Sequence, residues 1–239
     1  MTERGLTRRQ YLVVTGLAPL LLSRCASVTE PFHPQGIRSA EGPVEINGNK
    51  AHPDDPIPPQ ADITTGGQGD TTLVIGDDAL MIRPNSRVRI MSTKTNTQAR
   101  ADAIQRVQRI QQIQLLAGGV LSVLGKGQPR TFKTAQAVVA IRGTALYLEA
   151  APQQTYLCTC YGSLTLTHAI RADIHESLTT QHHEAPRTIY DLDAAPHPSE
   201  ICIPAPMLNH TDAELIALEA LVGRVPPFVV AGDGPKSRY

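Results

Sequence analysis

Two cysteines separated by one residue, Cys158-Thr159-Cys160, are the side chains of this chain best placed to do chemistry. Side chains alternate along an extended strand, so both thiols are expected on one face. His182-His183 follow downstream, and Cys202 and His210 come later still. Thiolates with imidazoles form a donor set for zinc or copper. The candidate ligands are Cys158, Cys160, His182 and His183, at a spacing that matches no established zinc pattern. Two other uses of the thiols stay open: a disulfide from Cys202 to Cys158 or Cys160 in an oxidising compartment, and burial as free cysteines. If Cys25 is modified or removed, three cysteines remain, and an odd number leaves one thiol unpaired. His168 and His175 read as loop histidines. His210 stands beside a helix start, where capping comes first and ligation second. Asp54-Asp55 and Asp77-Asp78 read as solvated turn pairs rather than calcium ligands. No Gly-x-Ser-x-Gly elbow, phosphate-binding loop or dinucleotide fingerprint occurs, and no catalytic residues are assigned. The expectation is a protein that is not an enzyme.

The elements that must hold these residues are mostly strands. From 43 to 167, alternating apolar segments and turn residues recur roughly every ten residues, the pattern of a sandwich, barrel or solenoid. The segment 131–150 is the most apolar. Val138, Val139 and Ile141 favour a pleated surface, and Leu146 and Leu148 alternate with Tyr147 and Glu149. Arg142-Gly143-Thr144 interrupts it as a glycine corner between two strands. Asn47-Gly48 is a hairpin turn pair. Residues 113–124 read as two strands around Gly118-Gly119. Between 94 and 112, Ala101, Ile104, Val107 and Ile110 recur every three residues, which favours a short amphipathic helix. Residues 168–208 are rich in His, Pro and Asp and form an extension. Thr211-Asp212-Ala213-Glu214 is a capping box that starts a helix at about 212–222, stopped by Gly223.

Composition narrows the partners. Lys plus Arg equals Asp plus Glu at 22 each, so no basic field for nucleic acid exists. Trp is absent and aromatic residues make up 4%, which offers no stacking platform for bases. Eighteen Gly and 19 Pro suit many short strands and turns.

Residues 1–27 read as an export signal. Arg8-Arg9 precede an apolar run at 11–22, which at about 1.5 Å per residue is too short for a bilayer core of about 30 Å. Thr7-Arg8-Arg9-Gln10-Tyr11-Leu12 resembles the twin-arginine motif. Leu22-Ser23-Arg24-Cys25 resembles a lipobox that departs from the pattern at Arg24, so Cys25 is the lipidation candidate. Membrane contact is expected only through such an anchor. Residues 28–42 are a linker.

Read in order, Ile63-Thr64-Thr65-Gly66, Thr71-Thr72-Leu73-Val74-Ile75-Gly76-Asp77-Asp78, Pro84-Asn85-Ser86, Leu116-Ala117-Gly118-Gly119-Val120-Leu121 and Ile141-Arg142-Gly143-Thr144-Ala145 resemble the FecR domain. The resemblance covers about 43–167. It implies a mainly β, solenoid-like or sandwich domain outside the cytoplasm, here with a short C-terminal helix. It also implies a binding, signalling or scaffold role with a protein partner in the cell envelope, and localisation to the periplasm. The cytoplasmic anti-sigma part and membrane helix of the best-known members are not expected in this chain. Arg142, Gly143 and Thr144 are expected as a fold-defining corner or a partner contact.

Overall fold

Runs of Val, Ile, Leu and Thr bounded by Gly, Asn and Pro carry the chain into strands. The computed structural model describes residues 33–99 and 103–229. The export signal, Cys25 and the first part of the linker lie outside the described residues. In chain order the strands are β1 Gly36–Glu41, β2 Val44–Ile46, β3 Asn49–Lys50, β4 Gln60–Thr65, β5 Asp70–Ile75, β6 Asp78–Ile82, β7 Arg87–Ala99 and β8 Ala103–Val123. They continue with β9 Arg130–Lys133, β10 Ala137–Ile141, β11 Ala145–Ala151, β12 Gln154–His168, β13 His175–Thr180, β14 Arg187–Tyr190 and β15 Cys202–Pro204. The helix α1, Asp212–Leu221, comes last.

The strands form two layers. One runs β15-β14-β12-β11-β8-β6-β5-β1. The other runs β3-β2-β4-β7-β8-β9-β10-β12-β13. Pairing is antiparallel except between β8 and β9. The long strands β8 and β12 belong to both layers and turn the corner at Gly118 and Gly162, whose φ angles of 76° and 95° suit glycine. A Cβ on Gly118 would also lie 2.2 Å from Ser86 Oγ.

Leu73, Leu80, Leu146, Leu148 and Leu157 of the first layer meet Ile63, Val88, Phe132, Val139 and Leu164 of the second, all buried. Each of these strands therefore has one face in the inter-sheet core. The outer face of the first layer carries a second apolar set, Leu121, Tyr147, Tyr156, Cys158 and Cys160. It is covered by Leu215, Leu218 and Val222 of the C-terminal segment. The architecture of the described residues is thus sheet, sheet, helix, and mainly β with one short helix among them, as the sequence pattern implies.

The residues of the FecR-like pattern tie the corners. Ser86 Oγ accepts from Gly119 N at 2.9 Å, and Ser86 N donates to Thr65 Oγ1 at 2.9 Å. At the glycine corner Thr144 is buried and its hydroxyl donates to Ser163 O at 2.8 Å. Arg142 is exposed, so Thr144 and Gly143 carry the structural role of that triplet.

Several expectations are corrected. The described residues of 94–112, which exclude 100–102 and with them Ala101, are paired strands of β7 and β8, not a helix. The three-residue apolar spacing was a weak helical signal, and the facing strand is rich in β-branched Thr, which prefers a ladder. Residues 113–123 belong to one continuous strand bent at Gly118, not to two. Gly36–Glu41, expected within a linker, is a strand paired with β5, with Ile37 fully buried. The extension after 168 contributes β13, β14 and β15 to the layers. Asp78 is not a solvated turn residue. It is buried and forms a two-point ion pair with Arg130 at 2.7 and 2.9 Å.

Candidate metal centre

β12 presents Tyr156, Cys158 and Cys160 on the outer face of its sheet, and Leu157 into the inter-sheet core. Period-two alternation puts both thiols on one side, as their spacing implies. Thr159 pairs with Leu146 and Tyr161 with Ala145, so Cys160 faces no residue of β11 and forms a bulge. Its free carbonyl accepts the N–H of His183 at 3.0 Å. That bond fixes the turn after β13 against the strand. In the turn, Glu184 Oε2 accepts from Gln181 N and His182 N at 2.7 and 3.0 Å. His183 adopts a left-handed φ of 61°, which turns its ring toward the cysteines.

The fourth side chain comes from the other end of the covering layer. Tyr156 Oη donates to Pro206 O at 2.9 Å and accepts from Leu208 N at 3.0 Å, holding the approach to α1 on the sheet. Asn209 takes a left-handed φ of 61°, and its amide donates to Glu149 at 2.6 Å. His210 follows, stacked on Tyr147 with ring centroids 4.9 Å apart. Thr211 then caps α1 with a reciprocal Thr211–Glu214 capping box.

Cys158 Sγ lies 3.3 Å from His183 Nδ1, Cys160 Sγ lies 3.5 Å from His210 Nε2, and the two ring nitrogens are 3.2 Å apart. All four donor atoms lie within 4.8 Å of one another. A tetrahedral zinc ion with ordinary bond lengths would separate sulfur from nitrogen by about 3.6 Å and the two nitrogens by about 3.3 Å. The observed distances match that frame.

Outside acceptors fix both tautomers. His210 Nδ1 lies 2.6 Å from Leu208 O, and a carbonyl only accepts, so the proton is on Nδ1. His183 Nε2 lies 3.1 Å from the Asp212 carboxylate, which places its proton on Nε2. The remaining lone pairs, on His210 Nε2 and His183 Nδ1, point at each other and at two sulfurs. A cation, either a proton or a metal ion, must lie among them to offset the repulsion.

The ionisation of the group follows the same geometry. Cys158 is lowered to about 4, first by the Cys160 thiol and then, against its burial, by His183 and His210. Burial pushes Cys160 well up, and the neighbouring Cys158 charge adds to the effect. The two sulfurs are thus pushed apart in acidity, Cys158 toward the thiolate and Cys160 toward the thiol. Burial works against a charged His183, yet Cys158 and Asp212 outweigh it and raise that imidazole. Burial likewise opposes ionisation of Asp212, and the contacts with His182 and His183 overcome it and lower the carboxyl.

The set differs from the one expected by one histidine. Cys158, Cys160 and His183 are brought together with His210, while His182 faces Asp212 outside, with Nε2 2.9 Å from Oδ1. Sequence reasoning left His210 in a capping role because its approach to β12 is purely tertiary. Its position immediately before an N-cap was the only local signal. The disulfide alternative is corrected. Cys158, Cys160 and Cys202 are all free thiols, and Cys202 packs against the inter-sheet core while the other two lie on the opposite face. His168 is not a loop residue. It is buried at the end of β12, bonded to Tyr190 O and to the amides of Ile170 and Arg171. His175 opens β13 and is exposed.

No protein-family model and no curated protein matches the chain. Among solved structures it is similar to two crystal structures from Parabacteroides distasonis ATCC 8503, each assigned as an anti-sigma factor. One has 12% identity and a TM-score of 0.40 over 55% of this chain and 55% of that chain. The other has 11% identity and a TM-score of 0.39 over 54% of each. The chain thus aligns with about half the length of these structures.

Proposed function

We propose that this is an exported, non-enzymatic β module of FecR-like type whose own ligand is a closed-shell metal ion, zinc(II) or copper(I), bound by Cys158, Cys160, His183 and His210. The observation that carries the metal reading is the convergence of four donor atoms within 4.8 Å, three of them from buried residues, with both histidine tautomers fixed from outside. Two thiolates and two imidazoles suit either ion. Carbonyl and carboxylate partners behind the ring nitrogens are the usual supports of metal-bound histidine. Four protein ligands leave no open position, the arrangement of a structural or sensing site rather than a hydrolytic one. Export and an envelope partner rest on the twin-arginine-like segment and the FecR-like motifs, and the metal reading does not depend on them.

The test is spectroscopic. Metal-free protein titrated with cobalt(II) should develop thiolate-to-cobalt charge-transfer absorption that zinc then bleaches. Cys160→Ser and His210→Ala should each lose most of that absorption while keeping the far-ultraviolet signature of the β fold. Absence of the absorption in the wild-type protein, or its persistence in Cys160→Ser, overturns the reading.

A further inference from the structure

We infer that His183 bridges two metal ions, one in the Cys158, Cys160, His183, His210 set and a second held outside it by His182, His183 and Asp212. This rests on the metal reading of the inner set. The two ring nitrogens of His183 face different donor groups. Nδ1 lies among the inner ligands, 3.3 Å from Cys158 Sγ and 3.2 Å from His210 Nε2. Nε2 lies 3.1 Å from Asp212 Oδ1, and the same oxygen is 2.9 Å from His182 Nε2. Two imidazole nitrogens and a carboxylate oxygen thus converge on the solvent side of the ring, within 4.8 Å of one another.

The outer group is built rather than incidental. Glu184 ties down the amides of the turn, and the Phe228 ring stacks on His182 at 4.5 Å between centroids. The His182 and Asp212 side chains remain 46% and 44% exposed, so water can fill the rest of a coordination sphere there. A nitrogen, nitrogen, oxygen set with open positions suits zinc or another borderline divalent ion. The inner set is closed and sulfur-rich, so the two sites differ in character.

Binding the outer ion replaces the proton on His183 Nε2. That proton leaves to solvent, and the ring becomes an imidazolate with one lone pair on each ion. Two thiolates, the imidazolate and the Asp212 carboxylate then balance the charge of two divalent ions, which matters where the inner half is sealed from water.

The experiment is a zinc and cobalt titration of the metal-free full chain, with bound metal counted by elemental analysis. Wild type should take up two equivalents. His182→Ala should take up one and retain the thiolate-to-cobalt absorption of the inner site, and Asp212→Asn should also lose the outer equivalent while binding the inner ion more weakly. The dicobalt protein should show a magnetic susceptibility below that of two isolated ions, because an imidazolate couples them. One equivalent in the wild type with the thiolate absorption present overturns the bridge alone. No thiolate absorption at all overturns the inner site and the bridge with it. Two equivalents retained in both variants, or an additive susceptibility, also overturns the bridge.

Discussion

At the scale of single residues, the proton on His183 decides how the centre loads. Without metal, the Cys158 charge and Asp212 hold that imidazole protonated to higher pH than a free one, and burial keeps Cys160 as a thiol. A metal ion must displace both protons. Uptake is therefore expected to strengthen as pH rises between about 6 and 8, with proton release on binding. Competition against a chelator of known affinity across that range checks this, and a flat profile would sink it. His183→Ala removes a ligand and should weaken uptake at the inner site by about 10- to 100-fold or more, as loss of a supporting group already does. His182→Ala should leave the thiolate-bound ion in place.

At the scale of the element, α1 is held by three devices. Its stripe of Leu215 and Leu218 packs on the outer sheet face. Its capping box joins Thr211 and Glu214, and Glu214 also meets Arg83 at 2.6 Å. Asp212 in its first turn reaches the histidines. Thr211→Ala should cost about 1 kcal/mol of stability, read from a shifted urea midpoint with unchanged slope. Burial opposes ionisation of Glu214, but Arg83 and the cap amide win and hold its carboxyl below 4.5. A lowered folded value means its contribution is fully present above the unfolded value and is lost as pH falls through the folded one. Glu214→Gln should flatten that part of the acid-stability profile below about pH 4.5. Removing metal takes away the link between β12, the 181–184 turn and the start of α1. Hydrogen exchange in 206–222 should then speed up while the inter-sheet strands stay protected.

At the scale of the whole molecule, the two sheets depend on buried polar ties as well as on the apolar core. Arg130 on β9 and Asp78 on β6 form a buried ion pair between the layers. Arg130 also donates to Gly125 O and Gln128 O at 2.9 and 2.8 Å. Arg130→Met leaves Asp78 buried without its partner and should cost about 3–5 kcal/mol, measured by thermal or urea unfolding. Gly118→Ala meets Ser86 Oγ and a left-handed φ together, and should destabilise by about 1–3 kcal/mol.

How much was legible follows from the range of each interaction. Alternation marked Leu146 and Leu148 against Tyr147, and put Cys158 and Cys160 on one face, because a strand imposes its own period. The Thr211–Glu214 box marked the start of the helix because a cap is a contact between near neighbours. The β7–β8 pair was misread, since pairing with a Thr-rich partner overrode a three-residue apolar rhythm. Asp78 looked like a turn residue because its partner lies on another strand of the other layer. His183 was chosen over His182 by a bulge carbonyl and a left-handed backbone, neither of which has a sequence signature. His210 joined the centre only because α1 packs back on β12. The sequence by itself determined the donor types, the strand that carries the thiols and the start of the C-terminal helix. Only the tertiary structure decided which histidines meet those thiols, because that choice depends on contacts between segments far apart along the chain.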